Sequence, residues 1–311
     1  MQKSIMITER HKEYSHASQV RFDSDISMRQ IFPTLRIKLL GTFLIASDHM
    51  PLTSVEVPRL QSLLAYLILH RGVPQSRTRL ASLLWPDSTE EQAHTNLRNL
   101  LYKLRKALPD SDQYLVVNRH MLMWQNDDSW TMDVLEFEQS VSLAEQAELV
   151  QDHAMLHRAL EKAIELYRGD LLPGCYDEWI LSERDRLSQM YLEVLEKLLY
   201  LQESKGDFQA AIRIAQRLLR EDPVQEASYR HLMRLYTVSG NRAAAMRIYQ
   251  NCVAVLKREL AVEPSPETRR VYVQLTYSEH SRPYSIKNRS GSGSEAFDTI
   301  HLERYSLCEC C

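Results

Sequence analysis

The chain has 311 residues, 44% hydrophobic and 25% charged, a length that suits about two packed domains and a composition that excludes a disulfide-stapled mini-domain. Five cysteines (Cys175, Cys252, Cys308, Cys310 and Cys311) form no spaced framework; with no run of about eighteen apolar residues and no signal-peptide segment in the polar opening MQKSIMITERHKEYSH, a reducing, cytoplasmic setting without a membrane span is expected. The formal net charge of −3 divides unevenly: residues 33–130 hold 11 basic and 9 acidic residues, a net of +2, and residues 131–281 hold 18 and 24, a net of −6, so only the first half has the sign that attracts a polyanion.

Residues 1–32 lack a steady hydrophobic period and read as a flexible N-terminal segment. From Leu35 the text LRIKLLGTFLI, with β-branched residues and a central glycine, predicts strand with a turn or bulge. After Pro58, Leu60, Leu63, Leu64 and Leu67 recur at helical spacing and stop at Gly72, which predicts a first helix. Ser76 can cap a second helix, RTRLASLLW, closed by Pro86, and Ser88-x-x-Glu91 is a capping-box pattern for a third that runs to Leu108. The two helices are separated by the short connection of a helix-turn-helix. Next, YLVV and MLMW flank NRH, a two-stranded hairpin with a basic tip.

The third helix contains TNLRNLLYKLRKAL, fourteen residues with four cations and no carboxylate. Leu97, Leu100, Leu101, Leu104 and Leu108 form one apolar stripe, which leaves a surface of cations, amides and a phenol pointing outward. Alone, such a face suits either a polyanion or acids elsewhere in the protein. Its context decides: strands, three helices and a hairpin make a winged helix-turn-helix, whose third helix enters the DNA major groove while the wing reaches the neighbouring backbone.

From Met132 the composition turns to helix formers. Gly206 and Gly240, Ala211 and Ala245, and Ile214 and Ile248 all repeat at an offset of 34 residues, the tetratricopeptide period. Flanking helices at roughly 133–168 and 177–204 are expected to complete the stack. Between them YRGDLLPGCYDEW reads as a packed loop in preference to a ligand pocket. Residues 282–311 are Ser- and Gly-rich and read as a disordered tail. The predicted fold is therefore mainly α: a winged helix-turn-helix over 33–130 and an all-α tetratricopeptide-like domain over 131–281.

No enzyme constellation stands out. His153 and His157 beside Asp152 have metal-ligand spacing but no third ligand, so a solvated helix face is the preferred reading. The terminal CECC reads as part of the tail, SGSGSE is not a nucleophile elbow, and no GxxxxGK[ST] occurs. No metal or cofactor is expected.

The order RLQSLLAYLILHRG, RTRLASLLWPD, NLRNLLYKLRKAL and then LYRGDLLPGCYDEWILSERDRL resembles the Streptomyces antibiotic regulatory protein family over about residues 34–278. That family joins an OmpR-type winged helix to a bacterial transcriptional activator domain. The resemblance implies a transcription factor that binds promoter direct repeats, with a second protomer alongside it, and recruits RNA polymerase without an enzymatic step. The wing tip VNRHM departs from it in lacking the glycine often found there. Because the sequence stops after the helical domain, family members with an attached nucleotide-binding module are not expected to serve as models, and because no phospho-receiver domain fits before residue 33, control by phosphorylation in cis is not expected. Arg98, Asn99 and Tyr102 are the expected base readers. Arg77, Arg79, Thr95, Lys103, Arg105, Lys106, Asn118 and Arg119 are the expected phosphate contacts. Residues 33–130 are expected to suffice for duplex DNA, with 131–281 needed for activation. The competing reading is a tetratricopeptide adaptor whose winged helix contacts protein.

Overall fold

A computed structural model describes residues 35–277 apart from 48, 49, 56, 109 and 127–129; the expected flexible segment 1–32 and the tail 282–311, with its CECC, lie outside the described residues. Strands β1 (Leu35–Lys38) and β2 (Leu44–Ser47) pair antiparallel, and β3 (Met50–Pro51) extends the edge of β2. The central glycine of LRIKLLGTFLI, Gly41, thus lies in a turn between two strands. A 3-10 turn, Thr53–Val55, leads to α1 (Pro58–Leu69), which buries its four predicted leucines completely. Pro58 stands in the first helical turn, where its missing N–H has no intrahelical role.

A two-residue strand, β4 (Gln75–Ser76), precedes α2 (Arg77–Leu84), and the Ser76 hydroxyl caps that helix by accepting from the Arg79 N–H. The third helix, α3 (Glu90–Ala107), is capped by Thr89, one residue beyond the expected Ser88. Thr89 Oγ1 accepts from Gln92 N, so the capping pattern is Thr89-x-x-Gln92. A one-turn helix, α4 (Ser111–Tyr114), takes Tyr114 out of the predicted hairpin, which consists of β5 (Leu115–Val117) and β6 (Met121–Trp124). β4 pairs with the far side of β6, giving a three-stranded wing sheet.

β7 (Trp130–Met132) joins the first sheet, parallel to β1, in the order β3-β2-β1-β7. The boundary placed at 130/131 falls between two residues of this strand. Helices follow: α5 (Asp133–Leu149), α6 (His153–Leu166), α7 (Glu178–Ser204), α8 (Phe208–Glu221), α9 (Glu226–Val238), α10 (Arg242–Leu260) and α11 (Pro266–Tyr277). The stretch 133–168 is two helices, because Gln151 takes a left-handed conformation (φ 57°) and Asp152 starts a new helix by accepting from the N–H groups of Ala154 and Met155. No described helix is long and apolar enough to cross a membrane.

The 34-residue period extends to the hydrogen bonds. Gly206 and Gly240 share φ near 75°, Asp207 and Asn241 cap α8 and α10 through Ala210 N and Ala244 N, and the Asp207 and Asn241 N–H groups donate to Gln202 O and Tyr236 O. Ala211 and Ala245 are fully buried, where small side chains let helices approach closely.

One buried core runs from Leu35 through the leucines of α1 and α3 to Leu235 on α9, crossing from the winged helix into the helical stack. The crossing point is polar. Asp133, at the start of α5, accepts hydrogen bonds of 2.9–3.0 Å from three backbone N–H groups, those of Leu39, Leu40 and Val134. Burial pushes this carboxyl up from its usual value, while the same N–H groups and Lys38 pull it down. Beside it Leu172 N–H donates to Leu39 O (2.7 Å), Gly41 N–H donates to Asp170 O (2.9 Å), and Leu40 and Leu171 form an antiparallel bridge. Gly41 sits at φ 75°, and a Cβ there would lie 2.7 Å from Arg168 O. YRGDLLPGCYDEW is therefore a packed loop, and Arg184 of α7 holds it by donating to the carbonyls of Leu171, Leu172 and Cys175.

A second junction ties α1 to α7. Asp177 accepts from Arg59 Nη1 (2.6 Å) and from the Ser62 hydroxyl, and Trp179 Nε1 donates to the same hydroxyl. Burial pushes the Asp177 carboxyl up, but the Ser62 and Arg59 hydrogen bonds outweigh it and hold the group below its ordinary value.

Two outcomes are expected. Asp133→Asn turns an amide NH2 toward backbone donors and should lower the unfolding free energy by about 2–3 kcal/mol in urea titrations; a change under about 0.5 kcal/mol would show that the carboxylate does not hold the junction. The lowered Asp177 value contributes stability that is present above about pH 4 and lost as pH falls through it, so below about pH 4 the urea midpoint should drop more steeply in the wild type than in Asp177→Asn.

Candidate nucleic-acid interface

The α3 stripe is buried as its spacing requires, with Leu97 and Leu104 fully covered and Leu100 and Leu101 nearly so. The opposite face carries Thr95, Arg98, Asn99, Tyr102, Lys103, Arg105 and Lys106, all exposed, and Tyr102 keeps 71% of its surface in solvent. Among the described residues Arg98, Lys103 and Lys106 make no ion pair. Arg105 lies 3.7 Å from Asp112, an exposed pair of the kind that adds little stability and opens readily. The Thr95 hydroxyl donates back to Glu91 O, and Gln92 Nε2 donates to Asn96 Oδ1.

Charge is graded along α3. Glu90 and Glu91 occupy its first turn, where they complement the helix dipole, and Arg105 and Lys106 its last. Arg98 follows Glu91 by seven residues, about 10 Å of helix axis. The cationic surface therefore occupies the C-terminal two-thirds of α3.

The wing is tied to α2. Ser76 pairs with Met121 through β4 and also caps α2, so one residue joins the wing sheet to the helix-turn-helix. Arg77 donates from its backbone to His120 O (3.0 Å) and from Nη1 to Asn118 O (3.2 Å). Arg77 is half-buried and holds the tip in place. Asn118 Oδ1 accepts from the N–H groups of His120 and Met121, a side-chain turn that closes VNRHM without glycine. Arg119 projects from this turn, exposed, as does Arg79 on α2. Of the eleven candidates, Arg98, Asn99, Tyr102, Thr95, Lys103, Arg105 and Lys106 share one helix face, Asn118 and Arg119 form the wing tip, Arg77 links the tip to α2, and Arg79 stands on α2. Sequence reasoning did not reveal the structural roles of Arg77 and Asn118, although asparagine at a glycine-less hairpin tip is the signal that could have.

The metal-like spacing in α6 resolves into local contacts. Asp152 caps the helix, and His157 faces Gln202 (2.9 Å) and Glu161 (3.3 Å). Tyr167 stacks on Tyr191, ring centroids 4.1 Å apart, inside the core.

Residues 132–276 match the bacterial transcriptional activator domain. Over 209 residues the chain is 27% identical to Regulatory protein AfsR of Streptomyces coelicolor, covering 67% of this chain and 21% of that protein, so it spans about a fifth of that relative. It is 25% identical over 226 residues to Transcriptional regulatory protein MoaR1 of Mycobacterium tuberculosis, covering 70% of this chain and 72% of that one. Among solved structures, Mycobacterium tuberculosis EmbR in complex with a low-affinity phosphopeptide has a TM-score of 0.65 at 21% identity, over 79% of this chain and 66% of that chain, a likeness of fold. Residues 132–276 thus match the activator domain, and the order of an N-terminal winged helix followed by that domain resembles regulators of the Streptomyces antibiotic regulatory protein type.

Proposed function

We propose that the chain is a sequence-specific, DNA-binding transcriptional activator that occupies promoter direct repeats and helps to recruit RNA polymerase, with no chemical step of its own. The observation that carries the reading is the α3 face: four cations and no carboxylate from Thr95 to Leu108, three of the four without an ion pair among the described residues, with Arg119 exposed at the wing tip. Arg98 and Asn99 have the donors for guanine and adenine edges, and Tyr102 lies one turn beyond Arg98 on the same face. Lys103, Arg105, Lys106, Arg79, Arg119 and the remaining donors of Arg77 and Asn118 serve the phosphates, joined by Thr95. In this reading residues 33–130 carry the DNA contacts and residues 131–281, net negative, offer their stacked helices to the transcription machinery in the cytoplasm.

Duplexes selected from random DNA by the full chain supply an operator for the test. Arg98→Ala should cost about 1–3 kcal/mol of operator discrimination, whereas Arg119→Ala should weaken operator and random DNA alike and lower the log-log salt slope by about 0.9. Unchanged discrimination in Arg98→Ala would show that α3 does not read bases as assigned, and salt-insensitive behaviour with no duplex binding would favour the protein adaptor. Footprints on the selected DNA should show two adjacent sites in the same orientation, and a single inverted repeat would count against head-to-tail occupancy.

A further inference from the structure

Helices α6, α7 and α8 enclose a groove of about 490 Å3 in the activator domain, far along the chain from α3 and the wing. Its α8 wall presents Arg213, Arg217 and Arg220, which recur at i, i+4 and i+7 and so share a face. Among the described residues none of the three is ion-paired. Arg217 lies over the Tyr191 ring, 5.2 Å from its centroid, which orients the guanidinium without neutralising it. Between the walls Ile164 and Ile214 are half-buried above Leu195 and Leu198, so the floor is apolar. The α6 wall carries Glu161 and Glu165.

This arrangement selects among anions. A nucleic-acid backbone has charge on every unit and would meet Glu161 and Glu165 across the gap. An acidic peptide can place carboxylates on the arginine wall, where guanidinium forks match them, apolar side chains on the two isoleucines, and backbone N–H groups toward the glutamates.

We propose that the groove binds a short acidic segment of a partner protein in which carboxylates alternate with leucine-like side chains, Arg213, Arg217 and Arg220 taking the carboxylates. The proposal does not rest on DNA recognition by α3.

The test uses the full chain and a fluorescein-labelled dodecapeptide of alternating acidic residues and leucines, with a second peptide carrying lysine at every acidic position. Anisotropy should show saturable binding of the acidic peptide that weakens with salt, and at least tenfold weaker binding of the lysine peptide. Arg213 and Arg220 are exposed, so the double variant R213E/R220E should keep its circular dichroism and lose at least tenfold in affinity, whereas R213K/R220K should retain most of it. Equal binding of the two peptides, or undiminished binding by R213E/R220E, overturns the proposal. Random duplex DNA that binds the wild type and loses the same affinity in R213E/R220E would assign the groove to nucleic acid and overturn it as well.

Discussion

A single buried carboxylate, Asp133, gathers backbone donors from the end of β1 and from the start of α5. Those donors need partners, since an orphaned buried N–H costs as much as a lost hydrogen bond, and at Leu39 and Leu40 the strand has run past its neighbours. Once the carboxylate ends β1 in this way, the chain can turn at Gly41 and receive the loop that carries Asp170, Leu171 and Leu172. Arg184 then holds three carbonyls of that loop from the α7 side. The winged helix and the helical stack thus share one core, and the orientation of α3 relative to the stack follows from this junction.

Some cations of the stack are paired, whereas Arg213, Arg217 and Arg220 on α8 make no ion pair among the described residues. In the stack, Arg186 pairs with Glu138 and Glu183, and Lys197 with Glu148, so these charges are spent on their own surface. On α3 the stripe of leucines turns the cations outward, and among the described residues only Asp112 pairs with one of them.

Much of the fold was legible because it is written in local periods. The leucine spacing located α1 and α3, Ser76 marked the start of α2, and the 34-residue offset reached down to the matching caps at Asp207 and Asn241. What was not legible depends on distant partners. β7 is three residues long and pairs parallel with a strand almost a hundred positions earlier, and Asp133 reads in sequence as an ordinary acid in a first helical turn. The break at Gln151 carries neither glycine nor proline. At the interface, the outward face of α3 followed from its own sequence, but the tie from Arg77 to Asn118 spans 41 positions and is set by the pairing of β4 with β6.

The shared core also makes the molecule a pointer. If α3 enters a major groove as proposed above, the shared core sets the bearing of the stack around the duplex. DNA turns once in about 10–10.5 base pairs, so protomers spaced by whole turns aim their stacks to the same side and those offset by half a turn aim them to opposite sides. Helical phase, beyond affinity alone, then governs whether two stacks present one continuous surface to whatever meets them.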